Sequence, residues 1–151
     1  MKTIVMSVAL VCAAGAHAES FTVKSTTKAL QSITVPNGAS TSSAGFNEFE
    51  SQVTYASGQK ATNKGNCAAW SAPPGSIFTA EGICKWSEGR DEATMAFSCV
   101  EDMKANTGDC WGAMRGGAGK YAGKTGTISW HEKYSSESNT RTAVGTGLWN
   151  D

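Results

Sequence analysis

The residues best placed for acid–base chemistry in this sequence are carboxylates close to large aromatic side chains. Glu132 follows Trp130 by two residues in an alternating stretch, so both side chains lie on the same face of a predicted strand. Glu81 lies just outside the core of a predicted hairpin. A carboxylate inside an apolar cavity has a raised pKa and can transfer protons near neutral pH. Glu132 is therefore the candidate catalytic residue, whereas most carboxylates at strand ends are simply solvated.

Other catalytic arrangements lack the residues that they need. His131 alternates with Trp130, so it is expected on the opposite, exposed face. No second histidine remains once the N-terminal leader described below is removed, which leaves no Ser-His-Asp or Cys-His set. Neither a metal nor a cofactor is predicted.

The cysteines are expected to form disulfides. Four remain outside the predicted leader: Cys67, Cys84, Cys99 and Cys110. None of them forms a C-x-x-C pair, so a zinc site is the weaker interpretation. An even number in an exported chain indicates two disulfides. We predict Cys99–Cys110 and Cys67–Cys84, because a loop of about a dozen residues is the shortest closure. Cys84 and Cys99 would lie about four residues out of register in a hairpin, too far apart for the usual disulfide geometry.

Aromatic residues suggest an apolar cavity or an aromatic core. Trp86, Met95 and Phe97 share one face of a predicted hairpin, and Trp130 lies on the corresponding face of a later strand. These four are the candidate contacts for a small apolar or aromatic ligand. The same residues could simply fill a core that is poor in leucine, and this interpretation is the favoured one for the Trp content.

Period-two alternation predicts the strands that would position these residues. Strands are expected at 21–27, 30–35, 46–57, 77–88, 91–100, 127–134 and 142–149. Ordered structure is also expected to resume at 67–70, after a polar connection. Turns are expected at 36–38, 73–75 and 89–90, and loops at 39–44, 57–66, 101–109 and 135–140. In the central hairpin, Trp86 should lie opposite Ala93 and Cys84 opposite Met95. In the last hairpin, Trp130 should face Gly145 and Ile128 should face Gly147, as a narrow barrel interior requires.

A glycine-rich stretch between Cys110 and Gly126 is the most distinctive part of the sequence. Its glycines indicate tight turns or close backbone packing at a barrel corner: Gly116, Gly117, Gly119, Gly123 and Gly126. A phosphate-binding loop is the alternative, but no helix-forming run follows that could hold the anion at its N-terminus. Tyr121 is expected to pack inward, while Lys120 and Lys124 remain solvated.

The segment from Gly116 to Gly126 resembles the signature GGxG[KR][FY]xGxxG of the allene oxide cyclase-like β-barrels, which include plant dirigent proteins and small bacterial secreted proteins. The resemblance covers about a dozen residues and implies a calycin-like, eight-stranded antiparallel barrel with an apolar cavity. It carries over no catalytic residue, because none of the family's catalytic residues can be matched elsewhere in the chain.

The N-terminus resembles a secretory signal peptide. Lys2 precedes an uncharged run over 4–16, and Ala16-His17-Ala18 forms an A-x-A cleavage site before Glu19. The run is shorter than the roughly 20 residues of a membrane-spanning helix. We therefore predict a leader over 1–18, one domain over 19–151, and a secreted or periplasmic protein.

The charge balance of the expected mature chain excludes some partners. Removing 18 of the 151 residues leaves 133, and because Lys2 is the one charged residue removed, 12 basic and 13 acidic side chains remain from 13 of each. This balance provides no excess of positive charge that would attract nucleic acid or an anionic membrane.

Two functions from different classes compete. The leading hypothesis is binding of a small apolar or aromatic molecule in the barrel, because the sequence offers aromatics without a convincing catalytic pair. A cofactor-free cyclase or isomerase would also need a proton-transfer group in the cavity. A third hypothesis is a cell-surface interaction module with a solid core, and association of copies is possible.

Overall fold

The computed structural model describes residues 18–37 and 40–151, which form eight strands and one short 3-10 helix at Gly119–Tyr121. The strands are β1 (Glu19–Asn37), β2 (Ser40–Tyr55), β3 (Lys60–Ser71), β4 (Ala80–Glu88), β5 (Asp91–Asp102), β6 (Thr107–Ala118), β7 (Thr125–Ser135) and β8 (Thr140–Asn150). Each pairs antiparallel with its sequence neighbours, and β8 returns to pair with β1. The chain is therefore a closed eight-stranded antiparallel barrel, which confirms the predicted fold class.

The described chain begins at Ala18, so the predicted leader lies outside the described residues except for that alanine. Strand β1 begins at Glu19, the residue that follows the predicted cleavage site. The predicted turn at 36–38 and the start of the loop at 39–44 fall partly on residues 38 and 39, which also lie outside the described part.

The predicted hairpin registers and disulfides are confirmed. Trp86 pairs with Ala93 between β4 and β5, and Trp130 pairs with Gly145 between β7 and β8. Cys67 bonds Cys84 across β3 and β4, and Cys99 bonds Cys110 across β5 and β6. Both disulfides join directly opposed residues with Cα atoms 4.1 Å apart, so each fixes the register of two neighbouring strands.

Strand β1 is longer than the sequence predicted. The segments 21–27 and 30–35 are one continuous strand, interrupted by a register shift between Ala29 and Gln31. Phe21 and Val23 line the interior before this bulge, and Ser32 and Thr34 do so after it. The change of parity at the bulge made one strand look like two. Residues 40–44, predicted as a loop, belong to β2.

Two other predicted loops are shorter than expected. Strand β3 begins at Lys60 within the predicted connection 57–66, and the loop 101–109 shrinks to a turn between Asp102 and Thr107. Both errors arose because polar residues continue the strands: Asn63 faces the interior of β3, and Glu101 does so in β5.

The two ends of the barrel differ in their connections. The start of β1, the end of β8 and the links β2–β3, β4–β5 and β6–β7 lie at one end, which we call the closed end, while the other four links lie at the open end. The β1–β2 hairpin extends past Lys28, the last β1 residue paired with β8, and so projects beyond the rim of the open end.

Large interior side chains pack over glycines on neighbouring strands. A Cβ at Gly147 would collide with the ring of Phe21, one at Gly82 would lie 2.5 Å from the ring of Phe97, and one at Gly65 would meet the ring of Phe49. The absent side chains leave the space in which the rings lie against the wall. This arrangement confirms the expectation that large residues face glycines across a narrow interior.

Candidate functional site

The barrel encloses a cavity of about 540 Å³. Trp86, Met95, Phe97 and Trp130, the four residues predicted to contact a ligand, all line it. Phe97 and Trp130 meet edge to face, with ring centroids 5.6 Å apart. The structure therefore brings the predicted contacts together on one continuous wall, although they come from three different strands.

The size of the inward side chains changes along the barrel axis. Large rings fill the closed end: Phe21, Tyr55, Trp86, Tyr121 and Trp149. Toward the open end the lining mixes large side chains, such as Trp130, Tyr134 and Arg141, with small ones. The small ones are Thr27, Ala29, Ser32, Ser43, Gly45, Ala69 and Ala143. Because many of the lining residues are small, side chains do not fill the interior completely, and the cavity of about 540 Å³ remains.

Tyr121 closes one end of the cavity. It lies in the link between β6 and β7, is 2% exposed, and stacks on Trp149 with ring centroids 4.9 Å apart. Its hydroxyl donates to Glu88 Oε2 over 3.2 Å and lies 2.7 Å from the hydroxyl of Tyr55. Burial first, and then the hydrogen bond to Tyr55, raise the pKa of Tyr121 above its ordinary value.

Lys120 is exposed, as predicted, and forms an ion pair with Glu88 beside this closure. Its ammonium group lies 2.7 Å from Glu88 Oε2 and 5.1 Å from the ring centroids of Tyr55 and Tyr121. Burial acts to lower the pKa of Lys120, but hydrogen bonds and electrostatic interactions with Glu88 and Tyr55 together outweigh it and raise that pKa overall. Lys124 is likewise paired, with Asp151 at 2.6 Å.

Most glycines of the link between β6 and β7 have a positive φ angle or lie where a Cβ would collide with the backbone. Gly119 and Gly123 have positive φ angles of 62° and 80°. A Cβ at Gly116 would collide with the carbonyl oxygen of Tyr121, and one at Gly126 with the carbonyl oxygen of Leu148. Gly117 is the exception, because a Cβ there would lie 3.5 Å from the nearest atom, an ordinary contact.

Charged residues meet at the open end. Arg141 Nη1 donates to Glu101 Oε1 at 2.6 Å and also to Glu132 Oε1. Glu132 accepts a further hydrogen bond of 3.2 Å from Trp130 Nε1, and Arg141 lies 5.8 Å from the ring centroid of Tyr134. Burial acts to lower the pKa of Arg141, but the two carboxylates outweigh it and raise that pKa.

Glu132 therefore faces the cavity, with its oxygens engaged by Arg141 and Trp130. Sequence reasoning missed its partners. Glu101 was placed in a surface loop, although it continues the inward alternation of Phe97 and Cys99. Arg141 pairs with Tyr134 across the last hairpin, so the predicted loop of 135–140 already placed the two residues side by side.

Glu81 and His131 lie away from the cavity. Glu81 accepts a hydrogen bond of 3.4 Å from Trp70 Nε1 near the surface. His131 Nδ1 lies 2.8 Å from Asp109 Oδ1, and both side chains are exposed, as predicted for His131.

Asn63 is a buried polar residue on the cavity wall. It is 6% exposed, and its Oδ1 has no hydrogen-bond partner. In the β1–β2–β3 pairing it lies opposite Ser51, which is opposite Ser25, and all three line the cavity. A buried amide oxygen without a partner is costly, so this one is available to a ligand.

Within residues 18–37 and 40–151, no three His, Cys, Asp or Glu side chains form a group that could hold a metal ion. None of the helices in this part of the chain is long and apolar enough to cross a membrane. The sequence matches no known family model and no curated protein.

Proposed function

We propose that this protein is an exported binding protein that holds a small apolar or aromatic molecule inside its barrel. The observation that carries the proposal is the cavity of about 540 Å³, which is bounded by large rings at the closed end and lined partly by small residues toward the open end. Ligand cavities typically measure about 300–1,000 Å³ and are mostly apolar with a few polar groups that orient the ligand. Here those polar groups are Asn63 and the Glu101–Arg141–Glu132 cluster.

Access from the open end supports the same proposal. Met103 lines the cavity and is 76% exposed, and the Arg141 side chain is 42% exposed. At the closed end, Tyr121, Tyr55 and Trp149 are each no more than 4% exposed. A ligand would therefore pass the charged cluster and stop against the Tyr121–Trp149 stack.

The resemblance of the 116–126 segment to allene oxide cyclase-like barrels agrees with a cavity-bearing barrel, and membership of that group is part of the proposal. Two disulfides are typical of proteins that leave the reducing cytoplasm, which supports export. The hypothesis of an interaction module requires a packed interior, whereas this interior is partly empty.

A cofactor-free isomerase is the second candidate, and the orientation of Glu132 into the cavity is the observation that favours it. Its carboxylate is already engaged by Arg141 and Trp130, so proton transfer would require one of these hydrogen bonds to break. Binding needs no such rearrangement and is the simpler function for this geometry.

The test is a titration of the purified domain with Nile red, a neutral apolar dye whose fluorescence rises in a dry environment. Ala143 lines the cavity, so Ala143→Phe should place a ring in it and reduce the fluorescence increase. Thr142→Phe adds the same ring to the exposed outer face of β8 and should bind dye like the wild type. Equal binding by all three proteins would place the dye outside the barrel and overturn the proposal.

A further inference from the structure

We infer that the ligand carries a positively charged nitrogen on its apolar body, held at the open end by Glu101 and Glu132. This inference rests on the proposed function, and it adds the chemical class of the ligand. Among the described residues, three carboxylates and one cation line the cavity. The carboxylates are Glu101, Asp102 and Glu132, and the cation is Arg141. With all four ionised, the cavity wall carries a net charge of about −2.

Arg141 leaves part of this charge unmatched. Only its Nη1 bonds to the two glutamates, and Glu101 Oε2 has no hydrogen-bond partner among the described residues. Asp102 Oδ1 accepts from the backbone N–H groups of Lys104 and Ala105, so no side-chain cation neutralises it there. A ligand ammonium group would find one free carboxylate oxygen and a net negative field.

Two aromatic residues line the cavity beside the carboxylates. Trp130 and Tyr134 line the cavity beside Glu132, and Tyr134 already lies near the Arg141 guanidinium. Rings of this kind attract cations at distances up to about 6 Å from their centroids. A ligand anion would gain only the remaining donors of Arg141 and would face three carboxylates, whereas a cation gains from the carboxylates and the rings together.

Asn63 is an independent sign that a polar ligand occupies this cavity. Its buried amide lines the same wall, nearer the closed end, and its Oδ1 has no partner. An amide oxygen in this state accepts a hydrogen bond from a ligand N–H or O–H group. The ligand that fits is therefore an amphiphile with a cationic head, an apolar or aromatic body and a hydrogen-bond donor along that body.

The experiment uses three probes with one aromatic body and different heads: naphthylethylamine, ethylnaphthalene and naphthylacetate. Each is titrated calorimetrically into the intact domain at low salt. We expect the amine to bind at least about tenfold more tightly than the hydrocarbon, and the carboxylate to bind most weakly. Added salt should weaken binding of the amine and leave the hydrocarbon unchanged.

Glu101→Gln and Glu132→Gln should each weaken amine binding by about tenfold without changing hydrocarbon binding. Glu50→Gln is the matched control, because Glu50 is ion-paired with Lys64 and both side chains are more than half exposed. It should bind all three probes like the wild type. The salt series on the wild type gives the same information if a Gln variant fails to fold.

Equal binding of the amine and the hydrocarbon would overturn this inference and leave the proposed function intact. Tightest binding of the carboxylate would also overturn it and would assign the head group to Arg141. If none of the three probes binds the wild type, the proposed function is overturned together with the inference.

Discussion

At Asn63, capacity for binding and stability of the fold are expected to oppose each other. Its buried amide oxygen has no partner, so the folded protein bears a desolvation cost that a ligand would relieve. Replacing Asn63 by Leu removes the unpaired group at similar volume. We expect Asn63→Leu to raise the free energy of unfolding by about 1–3 kcal/mol in urea titrations of the ligand-free protein.

Asn66→Leu is the control for this prediction, because Asn66 lies on the exposed face of the same strand. It should change stability by less than about 0.5 kcal/mol. A destabilised Asn63→Leu protein would show that the amide contributes to the fold and is not reserved for a ligand.

Gly119 and Gly117 allow a second test at single residues. Gly119 has φ of 62°, and a Cβ there would collide with Asp91 Oδ1, which accepts a hydrogen bond from Lys120 N. Strain and overpacking together should make Gly119→Val less stable by about 3 kcal/mol. Gly117→Val should melt within a few degrees of the wild type, because its Cβ has room. Thermal melts of the two variants beside the wild type measure these effects. A Gly119→Val variant as stable as the wild type would contradict the structural role of the link between β6 and β7.

Among the elements, the strands with one apolar face and one polar face were those whose position and register the sequence predicted best. In β4 and β5, inward Cys84 and Trp86 alternate with outward polar residues, so pattern alone gave the correct register. Strand β3 was partly missed because Asn63 and Gly65 replace apolar residues on its inner face. Period-two reasoning depends on contrast between faces, and that contrast disappears where a wall is built from polar or very small residues.

The candidate site was predictable to the same extent. The four aromatic and Met contacts share faces that alternation identifies, whereas the charged cluster joins Glu101 of β5 to Glu132 and Arg141 of the last hairpin. Sequence pattern gives the face of each strand but not the closure and stagger of the barrel that bring distant strands to one rim.

The link between β6 and β7 should make stability sensitive to alkaline pH. The pKa of Tyr121 is raised above 10.0 in the folded protein, so its contribution is fully present below about pH 10 and is lost as the pH rises further. Lys120 acts in the same direction, because its pKa is also raised. We expect the free energy of unfolding to fall above about pH 10 in the wild type.

In Tyr121→Phe this alkaline fall should be smaller, because the buried hydroxyl that resists ionisation is gone. Tyr134→Phe is the control, since Tyr134 is 38% exposed and lies at the open end. Urea titrations at intervals from about pH 8 to about pH 11 provide the comparison. An identical alkaline fall in all three proteins would show that Tyr121 does not close the barrel through its hydroxyl.

The two ends of the barrel differ in the size and charge of the side chains that line them. Large rings pack the closed end, whereas the lining toward the open end contains many small side chains and the charged cluster. The barrel therefore has a mostly apolar cavity with carboxylates at its open end, and a ligand enters from that end.

The most direct test of this account is to obstruct each end in turn. Met103→Cys places a thiol at the open end, where Met103 is 76% exposed, and Arg90→Cys places one in the exposed turn at the closed end. Each variant is labelled with a bulky maleimide, and Nile red association is followed by stopped-flow fluorescence. We expect the label at position 103 to slow association of the dye at least about tenfold and the label at position 90 to have no effect. Slower association with the label at position 90, or no effect at either end, would contradict it.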